Sequence, residues 1–311
     1  KGFNYSQDGP GNRLVYHLSG CNLKCPWCSN PEGMEITNTA TALTVESIVK
    51  EAVSCKMMFI DGGGVTLTGG EVTCQKDAVT KLLNQLKENG IHTCIETNAA
   101  LKNCEEIFKI VDYMIADFKS PDAEKLETIT GADLDIIKDN LLFRAKTGKP
   151  LLIRIPLING FNNGKENAFL FAEFFEKLKL ESGNENLYFE ILTYHEYGKE
   201  KYEKSGKEYK VENGFVTPED VKILATEIKK VETAGAQYLH LDIMDGAFVP
   251  NLSFGPDLIA SIRKCTNMIF DVHLMILNPW KYIDTFIKAG ADSITVHYEE
   301  FNGDDALLCD V

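Results

Sequence analysis

Cys21-Asn22-Leu23-Lys24-Cys25-Pro26-Trp27-Cys28 is a C-x3-C-x2-C run in a chain of 311 residues. Three thiolates at that spacing can wrap one iron–sulfur cube and leave its fourth iron without a protein ligand. An iron left open is a place for chemistry, just as open catalytic metal sites differ from closed structural ones. Two other uses of the sulfurs stand against this. A structural zinc site could take the three cysteines plus His17, but such sites usually repeat a C-x2-C pair further along, and none follows. Disulfides would need the density of a secreted scaffold. Cys55, Cys74, Cys94, Cys104, Cys265 and Cys309 are instead scattered through apolar or mixed segments and read as small buried side chains. No signal-peptide pattern opens the sequence, so a reducing cytoplasm is the expected compartment.

Composition narrows the class. With 44% hydrophobic residues the chain can build one large core or two. A net charge of −14 argues against a nucleic-acid surface, and no apolar run is long enough to span a bilayer.

Working outward from the cysteines, Asp8-Gly9-Pro10-Gly11 is a tight turn leading into a strand-like Leu14–Leu18, and Asn30-Pro31-Glu32-Gly33 is a second turn. Thr44 caps a helix running to about Ser54. Strands are predicted at 64–68, 91–96, 111–117, 151–156 and 187–193, with helices near 75–89, 103–109, 133–147 and 164–178. Gly90 and Gly148 fall just past helix ends, where a left-handed residue is wanted. Regular β/α alternation predicts a mostly parallel sheet with helices outside it. Ligands of such folds sit at the C-terminal ends of the strands, which singles out the polar residues there. They are Gly69-Gly70-Glu71, Glu96-Thr97-Asn98, Asp117 with Lys119, Arg154 within its strand, and His195. Charges in apolar strands must pair with each other or meet a ligand. The segment 196–216, rich in Lys, Glu and Tyr, reads as a solvated loop.

The cysteine run with an aromatic before its last Cys, followed by Gly69-Gly70-Glu71, resembles the radical SAM superfamily. More narrowly, Asp8–Gly11, Cys28-Ser29-Asn30-Pro31-Glu32, Gly64–Glu71, Glu96–Asn98, Asp117–Lys119, Ile153-Arg154-Ile155-Pro156 and Tyr194-His195-Glu196-Tyr197-Gly198 resemble the glycyl-radical-enzyme activases over about residues 3–230. The resemblance implies an α/β fold, a partial (β/α)6 barrel with a [4Fe–4S] cluster on Cys21, Cys25 and Cys28. S-adenosylmethionine (SAM) would chelate the open iron through its amino and carboxylate groups. Trp27, Gly69, Gly70, Glu71, Asn98, Lys119, Arg154 and His195 stand where the family contacts SAM. Glu96, Thr97 and Asp117 stand where it can bind a monovalent cation, although the family more often has Asp at the position of Glu96. The implied chemistry is reductive cleavage of SAM to a 5′-deoxyadenosyl radical, which takes a hydrogen atom from a glycine of a partner glycyl radical enzyme. A flavodoxin or ferredoxin-type reductant would supply the electron. Only residues 33–43 lie where larger activases insert an auxiliary-cluster module, so no second cluster is expected.

Thr217-Pro218-Glu219-Asp220 opens a helix expected over 217–233, and the resemblance then changes. From about Ile223 to Glu299 the chain is similar to the ribulose-phosphate 3-epimerase family. The similarity rests on Tyr238–Gly246, Phe248-Val249-Pro250-Asn251, Phe254-Gly255-Pro256, Asp271-Val272-His273-Leu274-Met275 and Ala289–His297. It implies about half of a (β/α)8 TIM barrel, in which His240, Asp242 and His273 would bind zinc or iron. The family's first strand, its later strands and its second catalytic Asp have no counterpart here. The expected division is therefore an activase-like domain over 1–222 and a partial epimerase-like domain over 223–311 without epimerase activity. A homodimer through the open edges of that fragment is also expected. Two alternatives remain: a metal-dependent pentose-phosphate 3-epimerase, and a non-catalytic chimera of both halves.

Overall fold

Gly64-Val65-Thr66-Leu67-Thr68-Gly69 is apolar or β-branched at its centre and buried at every position but the last, as a strand covered on both faces must be. This strand, β3, lies in a sheet whose members follow one another in chain order. They are β1 (Gly2–Tyr5), β2 (Asn12–Leu18), β3, β4 (His92–Thr97), β5 (Tyr113–Asp117), β6 (Leu151–Leu157) and β7 (Leu187–Thr193). β1 runs antiparallel to β2, and β2 through β5 pair in parallel. The helices between them are α1 (Val45–Ser54), α2 (Lys76–Glu88), α3 (Glu105–Ile110), α4 (Ala123–Thr130), α5 (Leu134–Lys146) and α6 (Lys165–Ser182), and α7 (Lys199–Lys204) follows β7. A second sheet, ordered β10-β9-β8, joins β8 (Tyr238–Met244), β9 (Ile269–Met275) and β10 (Ser293–Val296) in parallel. Its connections carry α8 (Pro256–Arg263) and α9 (Ile283–Ala289). The computed structural model describes residues 1–5, 7–36, 42–196, 198–217, 220, 223, 238–249, 252–264, 266–301 and 307.

The expected strands and helices appear within two or three residues at nearly every boundary, because the period and the end signals that define them are local. Thr44 caps α1 by accepting from the Ser47 N–H, and Gly90 and Gly148 take φ of +63° and +72°. Thr217 and Asp220 cap each other reciprocally, while most of the helix expected over 217–233 lies outside the described residues. The Asp8–Gly11 turn folds onto its own chain: the Asp8 carbonyl accepts from Thr66 Oγ1 at 2.7 Å, and the fully buried Arg13 donates to Thr66 Oγ1, Pro10 O and Val65 O.

The chain divides into two compact units. The first comprises Lys1–Ile153, Leu178–Leu187 and Tyr197–Val211; the second comprises Arg154–Lys177, Tyr188–Glu196 and Glu212–Val311. The first unit has its core where β3, β4 and β5 meet α2, α3 and α5, around Val65, Leu67, Leu83, Ile95, Phe108, Met114 and Leu141. Burial at about 25 cal/mol per Å2 of apolar surface makes this layer the main source of its stability. In the second unit Leu239, Leu241, Ile259, Phe270, Val272 and Phe286 form the layer between β8, β9 and their helices.

Candidate functional site

The cysteine loop of the first unit begins where β2 ends and is sewn to the end of β3. Gly70 N–H donates to Leu18 O, Glu71 N–H to Gly20 O, Gly20 N–H to Gly33 O and Cys21 N–H to Met34 O, at 2.7–3.0 Å. Gly69 and Gly70 are required by this closeness. A Cβ on Gly69, whose φ is +101°, would stand 2.6 Å from Leu18 N, and one on Gly70 would stand 2.4 Å from Gly20 O. The glycines thus seat one backbone against another.

Cys21, Cys25 and Cys28 are free thiols, Cys25 fully buried. Burial pushes Cys25 up to about 12, and it also raises Cys21 and Cys28, against the N–H groups of Leu23 and Asn30 that point at their sulfurs from 3.4 Å. Such sulfurs ionise when a metal takes them, and N–H donors aimed at cysteine sulfur stabilise the thiolates that hold an iron–sulfur cluster. The donor set, three cysteines of one loop with N–H groups aimed at two of the sulfurs, fits a [4Fe–4S] cluster.

Around the loop, Asn98 donates from Nδ2 to Asn22 Oδ1 at 2.9 Å and points at Cys21 Sγ from 3.8 Å. Lys119 is buried and paired with Asp117 at 2.8 Å. Burial works against its charge, but Asp117 and the sulfurs of Cys25 and Cys21 outweigh it and hold the ammonium above the ordinary lysine range. Glu71, expected to hold a ligand ammonium, is met here by the protein's own donors. Its carboxylate is 1% exposed and accepts from Thr73 N, Thr73 Oγ1, Thr97 Oγ1 and Asn98 N at 2.6–2.9 Å. Three of these donors share Oε1 and one reaches Oε2, so the carboxylate ties β3 to the end of β4. The residues of the expected cation site answer to separate partners: Glu96 accepts from Thr68, Thr97 donates to Glu71, and Asp117 pairs with Lys119. Trp27 is half-buried in the loop itself.

The expectation of a solvated loop over 196–216 is corrected. Residues Lys199–Lys204 form α7, because Tyr202 has a buried partner to reach. Its hydroxyl donates to Cys25 O at 3.0 Å, Lys201 Nζ donates to Ser29 O and Asn30 Oδ1, and Gly198 lies so close to Cys28 O that a Cβ would stand 2.2 Å from it. α7 therefore clamps the cysteine loop. One of three tyrosines among lysines carried no signal of this.

In the second unit Arg154 pairs with Glu190 across β6 and β7. His195 is shifted down by burial, opposed by the charge of Asp242. Strand register explains the remaining group. His240 stands opposite Asp271 and Asp242 opposite His273, so period-two alternation sets all four on one face of the second sheet. His240 Nε2 and His273 Nδ1 both lie 3.1 Å from Asp242 Oδ1, and His240 Nδ1 lies 2.8 Å from Asp271 Oδ2. Burial lowers His240, but the hydrogen bonds of Asp242 and Asp271 prevail and raise it to about 10. Burial likewise raises Asp242, and both imidazoles pull it far below the aspartate range. Two nitrogens and a carboxylate oxygen, all within 4.8 Å of one another, could hold one divalent zinc or iron. Sequence reasoning gave no part to Asp271, although its register beside His240 follows once the strands are paired.

The model of the radical SAM superfamily matches residues 15–172, and that of the ribulose-phosphate 3 epimerase family matches residues 215–311. Over 228 residues the chain is 33% identical to the pyruvate formate-lyase-activating enzyme of Staphylococcus aureus strain USA300, covering 70% of this chain and 88% of that protein. Among solved structures, Streptococcus suis SuiB bound to S-adenosylmethionine is similar at a TM-score of 0.55 and 18% identity, over 80% of this chain and 51% of that one. A radical SAM methyltransferase from Sphaerobacter thermophilus is similar at a TM-score of 0.52 and 13% identity, over 75% of this chain and 66% of that one. The chain thus spans about half the length of SuiB, and these two likenesses bear on the fold alone.

Proposed function

The chain belongs to the radical SAM superfamily, and we propose that it is an activating enzyme that takes a hydrogen atom from a glycine of a partner glycyl radical enzyme. The observation that carries this is the cysteine loop, sewn to the Gly69-Gly70 strand end and clamped by α7, in a chain 33% identical over 228 residues to a pyruvate formate-lyase-activating enzyme. Cys21, Cys25 and Cys28 would hold the [4Fe–4S] cluster, leaving one iron for the amino and carboxylate groups of S-adenosylmethionine. When bound, the cluster and SAM would supply the one-electron reductive cleavage of the C5′–S bond from which hydrogen abstraction follows.

The chain's own residues do the rest. Leu23 and Asn30 N–H groups and the Lys119 ammonium favour the ionised sulfurs. Glu71 holds the backbone of Asn98, whose amide in turn holds Asn22 within the loop, so the strand end and the loop are linked. Preorganisation of this kind limits what cofactor binding costs in ordering. The electron would come from a flavodoxin or ferredoxin-type donor.

Anaerobic reconstitution tests this. About four irons per chain, a reduced-cluster EPR signal altered by SAM, release of 5′-deoxyadenosine and a glycyl radical on added pyruvate formate-lyase are expected. Iron loading without 5′-deoxyadenosine would refute the radical chemistry, and 5′-deoxyadenosine without a glycyl radical would refute that partner. The second unit is assigned no epimerase turnover. Two-sided proton transfer needs two placed groups, and among the described residues Asp242 is the carboxylate that meets both His240 and His273. Conversion of ribulose 5-phosphate in a coupled assay would overturn that.

A further inference from the structure

The imidazole of His297, just beyond β10, meets the far side of His273. The two Nε2 atoms are 2.9 Å apart, the ring centroids are 4.9 Å apart, and the planes differ by 20°. Nearly coplanar rings at that separation meet edge to edge, which is the geometry of an N–H···N hydrogen bond. Register accounts for the meeting: Thr295 lies opposite His273, and His297 follows two residues later on the same side of the strand. The outer nitrogen of His297, Nδ1, faces Glu299 Oε1 at 3.4 Å, and the Phe248 ring lies against the imidazole with centroids 4.8 Å apart.

We propose that His297 and Glu299 are positioning residues that set the tautomer of His273 for a divalent metal held by His240 Nε2, Asp242 and His273 Nδ1. The two histidines differ in how much choice they have. His240 Nδ1 donates to Asp271 at 2.8 Å, so the proton there is fixed and the proton shared between Nε2 and Asp242 is the one a metal would displace. His273 has two options. With the proton on Nδ1 it bonds to Asp242 Oδ1 at 3.1 Å and cannot ligate. With the proton on Nε2 it donates to His297 and frees the Nδ1 lone pair. An acceptor at His297 Nε2 favours the second state, and that acceptor requires the His297 proton on Nδ1, where Glu299 can receive it. Partners of this kind, carboxylate or backbone beyond a ligating imidazole, are worth about ten- to a hundredfold in metal affinity. Here one ligand has its carboxylate directly, and the other reaches one through a second imidazole. Radical chemistry in the first unit plays no part in this.

The test uses the full-length chain carrying Cys21→Ser, Cys25→Ser and Cys28→Ser, so that zinc is read at the second unit whether or not a cluster forms. Zinc affinity is measured by competition with a fluorescent chelator, and Asp242→Asn defines the site by abolishing binding. His297→Phe keeps the flat shape and removes the acceptor; it should weaken zinc about ten- to a hundredfold. His297→Gln restores an acceptor and should recover most of the loss, while Glu299→Gln should cost a few-fold. Two-dimensional 15N spectra of the ring nitrogens should show His273 protonated at Nε2 in the parent and shifted toward Nδ1 in His297→Phe. Equal unfolding midpoints for the Phe and Gln variants without metal separate this from a packing role. Zinc affinity of His297→Phe within twofold of the parent, Gln as weak as Phe, or zinc binding that survives Asp242→Asn would each overturn the assignment.

Discussion

Replacing Glu71 by glutamine separates a carboxylate that organises the site from one that binds the ligand. Glu71 Oε1 accepts from Thr73 N, Thr73 Oγ1 and Thr97 Oγ1, and Oε2 accepts from Asn98 N. Glutamine keeps the shape but turns one oxygen into an NH2 group. Its better orientation leaves the oxygen toward the three donors and the NH2 facing the Asn98 N–H. That loses one hydrogen bond to a charged group, about 1.5–3 kcal/mol, and weakens the other three from charge-assisted to neutral. Allowing for relaxation, the expected cost is about 2–4 kcal/mol, roughly a thirty- to several-hundredfold fall in the folded-to-unfolded ratio. The assay is urea unfolding of the apoprotein under reducing, anaerobic conditions, with SAM affinity of the reconstituted protein measured alongside. The midpoint should drop clearly, and SAM binding should weaken only as far as Asn98 and its loop are displaced. A wild-type midpoint together with a tenfold or greater loss of SAM affinity would refute the organising role and return Glu71 to the ligand.

Other substitutions read neighbouring parts of the design. Gly70→Ala drives a Cβ to 2.4 Å from Gly20 O and should sharply lower iron loading. Gly148→Ala, at φ +72° with open space around it, should cost about 1 kcal/mol and leave iron loading unchanged. Tyr202→Phe removes one of two donors to Cys25 O, the Cys28 N–H remaining, and should cost about 1 kcal/mol of apoprotein stability and hasten iron loss in air. For pH, Asp112 is raised by burial but held below the ordinary aspartate range by Thr93 and Lys87. Its stabilisation is therefore present above the unfolded aspartate value near 4 and is lost as pH falls through the lower folded value. Asp112→Asn should destabilise at neutral pH and flatten the acid limb of a stability-against-pH curve.

The sequence by itself determined what depends on near neighbours. Thr44 as a helix cap, Gly90 and Gly148 as helix ends, the β/α alternation and the three cysteines able to share one cluster all follow from spacings of a few residues. The quoted motifs also placed the chain in its superfamily and pointed to a second family in the C-terminal part, whose model matches residues 215–311. Tertiary structure decided which polar side chains meet. Glu71 finds Asn98 27 residues away, Tyr202 finds Cys25 177 residues away, and His273 finds His297 only after β9 and β10 pair in one register. Burial makes such partnerships obligatory, since a charge or hydroxyl taken out of water must find its complement. Which complement it finds depends on how strands align across the sheet, and spacing along the chain does not encode that. Gly69-Gly70-Glu71 looked from the sequence like a cradle for a ligand. The fold adds what spacing does not show: its glycines admit the cysteine loop and its carboxylate ties the neighbouring strand.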